Sequence, residues 1–234
     1  MKACFVTSTG TGIGKTFVTA ALTHQLRAAG KSVRAVKPIV TGLESEPFEQ
    51  SDPGVLLAAM EKAPGAQALD WISPIRYAAP LAPAMAAEQE GKTLDFGALV
   101  AVCEEALRGP EDVVLIEGVG GVMVPLVGAL TVLDWMAALG LPVILVAGSY
   151  LGTLSHTLTA LEVLRARALA CAGVVISESP ASTVALDGTV KQLRAFVGDT
   201  PVLALPRAQD WRDAAPLGEA LLERMTPLNR PNRT

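Results

Sequence analysis

A glycine-rich segment that ends in lysine and threonine lies near the start of this 234-residue sequence. It runs from Thr7 to Thr16 as TSTGTGIGKT, directly after a short apolar run. A loop of this kind between a strand and a helix binds phosphate through backbone N–H groups and the positive end of the helix dipole. Lys15 can then reach the outer phosphates of a nucleotide, and the Thr16 hydroxyl can complete the coordination of Mg²⁺. Because Thr9 stands where the strict phosphate-loop pattern has its first glycine, a glycine-rich turn with an incidental lysine is the alternative.

A carboxylate at the end of a later apolar run is the natural partner of this loop. Glu117 follows Val-Val-Leu-Ile at residues 113–116 and precedes Gly-Val-Gly-Gly at residues 118–121. At the end of a strand beside a phosphate loop, such a carboxylate holds Mg²⁺ directly or through water. Alone, Glu117 would more simply mark the end of a strand. Together with the loop it is predicted to be a metal ligand.

Two weaker candidates follow the second apolar run. Lys37 comes directly after residues 33–36, where it could stabilise negative charge or act on a substrate, or be a solvated lysine at a strand end. The residues leave those two interpretations open. Asp52 precedes Pro53 and a helical pattern, which is more typical of a helix N-cap with proline in the first turn. The Asp52 carboxylate can still bind a metal if its helix points at the site.

Alternating strand and helix patterns run along most of the chain. Short runs rich in Val, Ile and Leu predict strands at residues 3–6, 33–36, 113–116, 143–146, 173–176 and 202–205. Longer patterns predict helices at residues 15–29, 53–61, 96–108, 132–138, 154–167 and 186–196. The strand runs are continuously apolar, as expected of parallel strands covered on both faces. We therefore predict an α/β fold of phosphate-loop NTPase architecture, with a doubly wound, mostly parallel sheet that binds ligands at the carboxyl ends of its strands.

The composition is that of one globular domain. Half of the residues are hydrophobic, 18% are charged, and the formal net charge is −4. The high apolar fraction excludes a disordered chain, and the mild acidic excess argues against a nucleic-acid partner. With neither an internal repeat nor a linker, we predict a single domain at residues 1–225 and a disordered tail at residues 226–234. Residues 73–91, which contain three prolines, are expected to be irregular.

One long uncharged stretch raises the question of a membrane span. Residues 135–161 contain no Asp, Glu, Lys or Arg. Glycines and a proline interrupt the stretch at residues 140–142 and 148–152, whereas a spanning helix needs about 20 consecutive apolar residues. We expect no membrane association.

The three cysteines, Cys4, Cys103 and Cys171, are scattered along the sequence. This spacing predicts reduced thiols rather than a disulfide framework. We therefore expect a cytoplasmic protein.

Several blocks of the sequence together resemble the dethiobiotin synthetase family, and the resemblance covers nearly the whole chain. They are Gly14-Lys15-Thr16, Lys37-Pro38-Ile39-Val40-Thr41-Gly42, Ser51-Asp52, Val114-Leu115-Ile116-Glu117-Gly118-Val119-Gly120-Gly121, Pro142-Val143-Ile144-Leu145-Val146 and Leu151-Gly152-Thr153-Leu154-Ser155-His156. The block that begins at Lys37 and the block that contains Glu117 are specific as a pair. Phosphate-loop partition ATPases share the sheet but not that pair.

The resemblance implies an ATP- and Mg²⁺-dependent ligase of biotin biosynthesis. Such an enzyme joins CO2 to an amine of 7,8-diaminononanoate, activates the carbamate as a carbamic-phosphoric anhydride, and closes the urea ring of dethiobiotin. Family members are homodimers whose substrate site is completed across the interface, so the resemblance also implies a homodimer.

The resemblance also assigns roles to residues of this sequence. It implies catalysis by Lys37 and Lys15, and a metal site made by Thr16, Asp52 and Glu117. It implies substrate contacts by Lys37, Thr41, Gly152 and Thr153. It implies nucleotide contacts by Gly12, Ile13, Gly14, Lys15, Thr16, Phe17, Asp52, Glu117, Gly118, Val119, Gly120, Ser177, Glu178, Pro206, Arg207 and Ala208.

Four residues at three places in the sequence depart from the family pattern. Ser8 stands where the family usually has glycine, and Ser155 stands before His156 where asparagine is common. Ser177 and Glu178 stand where many members have Asn-Asp. Because a serine hydroxyl cannot supply the paired donor and acceptor of an amide, we expect loose selectivity for the nucleotide base. We expect His156 to be a packed histidine with a hydrogen-bond partner rather than a catalytic one.

Two other functions fit parts of the pattern. A dimeric ATPase switch of the partition type would usually carry a second lysine early in its loop, where this chain has Ser8, Thr9 and Thr11. A synthetase of the cobyric-acid type would need an additional glutaminase domain with a nucleophilic cysteine, which we do not expect in this chain. The partition-type switch is therefore the main alternative.

Overall fold

Ten strands and nine α-helices lie in the part of the chain that this computed structural model describes, residues 1–45, 47–225 and 227. The strands are β1 (Lys2–Ser8), β2 (Val33–Val36), β3 (Ile39–Thr41), β4 (Ile75–Tyr77), β5 (Val113–Glu117), β6 (Pro125–Val127), β7 (Leu130–Thr131), β8 (Val143–Gly148), β9 (Cys171–Ser177) and β10 (Val202–Leu205). The helices are α1 (Lys15–Ala28), α2 (Asp52–Ala59), α3 (Ala66–Ile72), α4 (Pro83–Gln89), α5 (Phe96–Leu107), α6 (Val132–Leu139), α7 (Thr153–Ala166), α8 (Leu186–Arg194) and α9 (Gly218–Arg224).

The central sheet has six strands in the order β10-β9-β8-β1-β5-β2, and every adjacent pair is parallel. All six strands predicted from apolar runs lie in this sheet, and the six predicted helices are present with ends shifted by a few residues. The predicted fold class is confirmed. The order places β1 between β5 and β8, so the loop after β1 opens beside the ends of both neighbours.

Apolar cores cover both faces of the sheet, which explains why its strands are continuously hydrophobic. In β1, Ala3 and Phe5 face one core, and Cys4 and Val6 face the other. The first core includes residues of α5, α6, α7 and α8. It contains an edge-to-face contact between the rings of Phe5 and Trp135, whose centroids lie 4.8 Å apart. The second core includes residues of α1, α2 and α9. Alternating side chains of one strand thus hold helices on both sides of it.

Residues 73–91 were predicted to be irregular, and this prediction is wrong for part of the segment. It contains β4, which pairs in parallel with β3 in a small second sheet, and the helix α4. A strand of three residues is too short to show an alternating pattern of apolar and polar residues. The prolines of this segment made a helix look unfavourable from the sequence, although Pro83 is the first residue of α4. The Ser73 hydroxyl donates to the Lys37 carbonyl oxygen at 2.6 Å, and the Lys37 N–H donates to the Ile72 carbonyl at 3.1 Å. The segment therefore fixes the backbone on which Lys37 lies.

The uncharged stretch at residues 135–161 is divided among three elements. It includes most of α6, all of β8 and the first part of α7. Within the described residues, no helix combines the length and the apolar character needed to cross a bilayer.

Of the tail predicted to be disordered, only Pro227 is described, and it forms an isolated antiparallel bridge with Lys2. The rest of that tail lies outside the described residues, and the single domain at residues 1–225 stays a prediction.

Gly54 offers a test of how closely α2 packs on the turn before it. A Cβ at Gly54 would lie 1.9 Å from the Phe48 carbonyl oxygen, so backbone would have to move. We expect Gly54→Ala to lower the free energy of unfolding by about 2 kcal/mol, as overpacking typically does. Urea denaturation measures this difference.

Gly188 is the matched control, because it is the third residue of α8 as Gly54 is the third residue of α2. A Cβ at Gly188 would come no closer than 3.8 Å to the Ala185 Cβ. Gly188→Ala should raise the free energy of unfolding by roughly 0.5–1 kcal/mol through helix propensity. Equal changes in the free energy of unfolding of the two variants would contradict the close contact at Gly54.

Candidate active site

Three neighbouring strands bring the predicted residues to one edge of the sheet. The phosphate loop follows β1, Glu117 is the last residue of β5, and Lys37 comes directly after β2. In the sheet these strands are adjacent in the order β1-β5-β2. The carboxyl ends of parallel strands meet at one edge, so residues far apart in the sequence become neighbours.

The phosphate loop has the strand–loop–helix geometry that its sequence predicted. Gly14 caps the start of α1 with a φ of 100°, a backbone conformation that favours glycine. A Cβ at Gly14 would also lie 2.9 Å from the Ser177 hydroxyl oxygen. No described side chain caps this end of α1, so its backbone N–H groups are available to an anion.

The ammonium group of Lys37 is buried and has three acceptors. Its Nζ lies 2.6 Å from Asp52 Oδ2, 2.7 Å from Glu117 Oε1 and 3.0 Å from the Gly118 carbonyl oxygen. An ammonium has three N–H donors, so these acceptors engage all of them. Lys37 is only 2% exposed, and its interpretation as a solvated lysine at a strand end is therefore wrong.

Asp52 is free for this cluster because another residue caps its helix. The N-cap of α2 is Ser51, whose hydroxyl oxygen accepts from the Gly54 N–H at 3.3 Å. Asp52 is the first residue of the helix, and its Oδ1 accepts from the Thr16 hydroxyl at 2.5 Å. The alternative that Asp52 serves as the N-cap is therefore wrong.

The oxygen atoms around Thr16 suit a cation. The Thr16 hydroxyl lies 2.5 Å from Asp52 Oδ1 and 2.7 Å from Glu117 Oε1, yet its single proton can serve only one of them. Glu117 Oε2 is buried and has no hydrogen-bond partner among the described residues. Mg²⁺ prefers oxygen ligands and is often bound by one or two carboxylates plus substrate phosphates. The donor set of Thr16, Asp52 and Glu117 therefore fits this ion.

Opposite charges and burial set the protonation states of the cluster. Burial alone would raise the pKa of Asp52, but the Lys37 ammonium and hydrogen bonds from Lys37 and Thr16 outweigh it and hold that pKa at about 2. Burial alone would lower the pKa of Lys37, but Asp52 and Glu117 outweigh it and raise that pKa. For Lys15, burial and the Lys37 charge prevail over the carboxylates and lower the pKa to about 8. Lys37 and Asp52 are thus a charged pair at neutral pH.

Two cavities meet at the phosphate loop and divide most of the predicted residues between them. One has a volume of about 370 Å³ and is lined by Thr11, Gly12, Gly14, Lys15, Thr16, Phe17, Lys37, Val40, Thr41, Asp52, Val119 and Gly120. The other has a volume of about 250 Å³ and is lined by Gly12, Ile13, Gly14, Phe17, Ser177, Glu178, Ser179, Pro180, Leu205, Pro206, Arg207, Ala208 and Gln209. The first can take phosphates together with a second substrate, and the second, called the base pocket below, can take a nucleotide base.

Gly152 and Thr153 line neither cavity. They lie at the start of α7, where Gly152 has a φ of 97° and the buried Thr153 hydroxyl donates to the Gly148 carbonyl at 2.6 Å. His156 in the next turn is exposed, so the expectation that it is packed is wrong. Its Nδ1 lies 2.9 Å from the Tyr150 hydroxyl. Within one chain, the predicted substrate residues therefore fall into two separate groups.

Several lining residues were missed from sequence. Thr11 and Val40 line the larger cavity, and Ser179 and Gln209 line the base pocket. Each lies within three residues of a residue that was identified. The rule that ligands bind beyond the carboxyl ends of strands would have included them, because they lie just past β1, β9 and β10 or on the short strand after Lys37.

Comparison with known proteins decides the family. A family model described as an AAA domain matches residues 2–214. The ATP-dependent dethiobiotin synthetase BioD of Caulobacter vibrioides is 50% identical over 223 residues, which cover 95% of this chain and 100% of that protein. The enzyme of the same name from Phenylobacterium zucineum is 47% identical, with 96% of this chain and 97% of that protein covered. The chain belongs to the dethiobiotin synthetase family.

Membership in the dethiobiotin synthetase family confirms the resemblance drawn from the sequence blocks and makes the chain an enzyme of the ligase class. A solved structure, the MinC:MinD cell division protein complex of Aquifex aeolicus, matches with a TM-score of 0.54 and 12% identity, covering 89% of this chain and 83% of that chain. Likeness at that identity reflects the shared fold alone. The partition-type switch is therefore not favoured.

The low pKa of Asp52 makes acid stability a test of the cluster. The pKa is lowered from 3.8 to about 2 in the folded chain, so ionised Asp52 stabilises the fold above its unfolded pKa and loses this effect as the pH falls through the folded value. Asp52→Asn removes the titration while it keeps the shape. We expect its unfolding free energy to fall less than that of the unsubstituted protein between about pH 4 and pH 2, as measured by urea denaturation.

Asp70 provides the control, because its side chain is 66% exposed and pairs with Arg76 at the surface. Asp70→Asn should leave the fall in unfolding free energy between about pH 4 and pH 2 unchanged, since exposed ion pairs contribute little to stability. If Asp52→Asn lost stability with acid as steeply as the unsubstituted protein, the Lys37–Asp52 pair would not be the cause of acid sensitivity.

Proposed function

We propose that this chain catalyses the ATP- and Mg²⁺-dependent carboxylation and cyclisation of 7,8-diaminononanoate to dethiobiotin. One observation carries the proposal: the Lys37 ammonium lies with Asp52, Glu117 and Thr16 beside a phosphate loop. The chain that has this arrangement is 50% identical to a protein named as an ATP-dependent dethiobiotin synthetase. When bound, Mg²⁺ would lie on Thr16, Asp52 and Glu117 and neutralise charge on the nucleotide phosphates.

The reaction begins with two anions that repel each other. An amine of the substrate attacks CO2 and loses a proton, giving a carbamate that must approach the γ-phosphate of ATP. Two like unit charges about 4 Å apart repel by roughly 4 kcal/mol at an effective dielectric constant of 20. Lys15 and Lys37 both line the larger cavity and offset this repulsion. They act also on the charge that develops during phosphoryl transfer.

Lys37 must exchange a partner before it can touch a substrate. Its acceptors already match its three donors in number. The Asp52 side chain is 39% exposed, whereas Glu117 is fully buried. Asp52 is therefore the acceptor that Lys37 gives up, while Glu117 and the Gly118 carbonyl keep the ammonium aimed into the cavity.

Later steps use the same groups. The carbamate oxygen attacks the γ-phosphorus, ADP leaves, and a carbamic-phosphoric anhydride forms. The second amine then attacks the carbonyl carbon, closes the ring, and expels phosphate with loss of a proton. Lys15 and the N–H groups at the start of α1 stabilise the phosphate oxygens in both steps. Thr41 lines the cavity beside Lys37, which supports a contact with the diamine.

A homodimer belongs to this proposal. Gly152 and Thr153 lie outside the cavity that contains Lys37, although the family resemblance gives them to the same substrate. A second copy of the chain would bring its own α7 terminus to that cavity. Apolar residues near this surface are exposed, with Met123 at 54% and Leu151 at 88%, which supports a covered face in the working protein.

The proposed location is the cytoplasm, where the thiols stay reduced. All three cysteines are free, and Cys4 and Cys103 are buried. Burial raises the pKa of Cys171 to about 11 and that of Cys103 to about 12, so these thiols are protonated and unreactive at neutral pH.

Lys37→Met tests the proposed reaction. With diaminononanoate, bicarbonate and ATP, the unsubstituted protein should form the cyclic urea, detected by mass spectrometry, and release phosphate in equal amount. Lys37→Met should lower the turnover rate by at least about 10²–10³-fold, the loss typical of removing one group that stabilises transition-state charge.

Lys92 supplies the control for that experiment, because it is an exposed lysine paired with Glu90 away from both cavities. Lys92→Met should turn over normally, and circular dichroism should show that both variants are folded. Absence of the urea product from the unsubstituted protein would overturn the proposed function. Normal turnover by folded Lys37→Met would remove only Lys37 from the mechanism.

The base pocket predicts loose nucleotide selectivity. Ser177 offers one hydroxyl, and Glu178 Oε2 is already engaged by the Arg207 N–H at 2.8 Å. Neither side chain presents the donor–acceptor pair that distinguishes adenine. We expect kcat/KM values for ATP, CTP and GTP to agree within about tenfold, since strong rejection requires a base contact that is left unpaired by the wrong base.

Ser177→Asn supplies the missing amide and is expected to raise the preference for ATP over the other nucleotides. Steady-state kinetics with each nucleotide measures both effects. A preference of about a hundredfold for ATP in the unsubstituted protein would contradict the prediction, because that ratio needs specific recognition of the base.

A further inference from the structure

A buried hydroxyl lies at the base of the phosphate loop. Ser8 is the last residue of β1 and is fully buried. It stands where the family pattern has glycine, so this hydroxyl is a feature of the chain itself. None of the roles proposed above uses it.

The Ser8 hydroxyl contacts the catalytic lysine and two loops. Its Oγ accepts a hydrogen bond from Lys15 Nζ at 3.1 Å and lies 2.5 Å from the Gly10 carbonyl oxygen and 3.0 Å from the Gly120 carbonyl oxygen. The single hydroxyl proton serves one of these carbonyls at a time, and the lone pairs remain for the lysine. The Gly10 N–H also points at Ser8 Oγ, at 3.4 Å.

The backbone of Ser8 fixes the place of that hydroxyl. The Val122 N–H donates to the Ser8 carbonyl oxygen at 3.1 Å. A Cβ at Gly121 would lie 3.2 Å from both that oxygen and the Gly10 nitrogen, so the two loops pack backbone against backbone. Ser8 therefore lies between the phosphate loop and the loop after Glu117, and its side chain has little freedom to move.

Lys15 has two N–H donors left for a nucleotide when one is given to Ser8. Its side chain is long, and fixing it costs rotamer entropy at the time when the phosphates bind. Lys15 is only 7% exposed, which already confines the side chain. A partner that holds the ammonium before the nucleotide arrives removes part of that entropy loss from the binding step.

We propose that Ser8 is a positioning residue for Lys15: its hydroxyl holds the ammonium at the base of the phosphate loop and thereby strengthens nucleotide triphosphate binding. The inference rests on the nucleotide-binding part of the proposed function. It assigns no contact between Ser8 and the substrates, because Ser8 lines neither of the two cavities.

A double-mutant cycle on binding tests the inference. The affinity for a non-hydrolysable ATP analogue with Mg²⁺ is measured by calorimetry for the unsubstituted protein, Ser8→Ala, Lys15→Met and the double variant. We expect Ser8→Ala to weaken binding about tenfold, equivalent to about 1.4 kcal/mol. In the Lys15→Met background the same change should alter affinity by less than about twofold, because Ser8 acts through that lysine.

Thr7 is the matched control in the same strand. It is fully buried, and its Oγ1 has no hydrogen-bond partner among the described residues. Thr7→Val should leave affinity unchanged within about twofold, since it removes an unbonded hydroxyl without changing the shape. Ser8→Gly is a second variant at the tested position and should weaken binding as Ser8→Ala does. Thermal unfolding confirms that each variant is folded.

Two results would overturn the inference. One is an unchanged affinity for the ATP analogue in Ser8→Ala and Ser8→Gly. The other is an equal loss of affinity from Ser8→Ala in the unsubstituted protein and in Lys15→Met, which would mean that Ser8 only stiffens the loop. A failure of the unsubstituted protein to bind the analogue would instead overturn the proposed function. The two failures are therefore distinguishable in one set of titrations.

Discussion

The burial of the Lys37 ammonium is the constraint on which the rest of the site depends. Moving a charge out of water costs several kcal/mol, and only close, well-directed partners compensate for it. Here the partners are two carboxylates and one carbonyl, at 2.6, 2.7 and 3.0 Å. They come from the start of α2 and from the end of β5, next to β2 in the sheet. The strand order is thus what makes a buried lysine tolerable at this position.

The same constraint sets the charge balance of the site. Lys15 and Lys37 oppose Asp52 and Glu117, so the positive and negative charges are equal in number before any ligand binds. A nucleotide triphosphate would add several negative charges to a balanced cluster. A divalent cation bound with the nucleotide would offset part of that charge, and the Thr16 hydroxyl and the buried Glu117 Oε2 are oxygen atoms of the kind that would hold it. This arrangement of charges supports the proposed dependence on Mg²⁺.

The sequence predicted the sheet well because the strands are buried on both faces and need no periodicity to be recognised. It could not decide the roles of Lys37 and Asp52. Ser51 and Asp52 are both good capping residues, and only the folded turn before α2 shows that Ser51 takes the cap. Residues 72 and 73 hold the backbone of Lys37 by hydrogen bonds, and Ser73 begins the segment at residues 73–91 that was predicted to be irregular. For Lys37 the deciding contact joins residues 36 positions apart, and for Asp52 the turn before α2 decides which of two adjacent capping residues caps the helix.

The phosphate-handling half of the site and the remote substrate half are built differently. The backbones of Lys37 and Glu117 are placed by adjacent strands of one sheet, and Lys15 begins the helix that follows the neighbouring strand β1. The start of α7, with Gly152, is separate from that cavity, and its surroundings are exposed. In the proposed homodimer, the start of α7 would meet the cavity of the second copy, so its position there would depend on the fit between the two copies. The proposed phosphoryl transfer, by contrast, needs closely positioned groups, and the residues proposed for it line one cavity of a single chain.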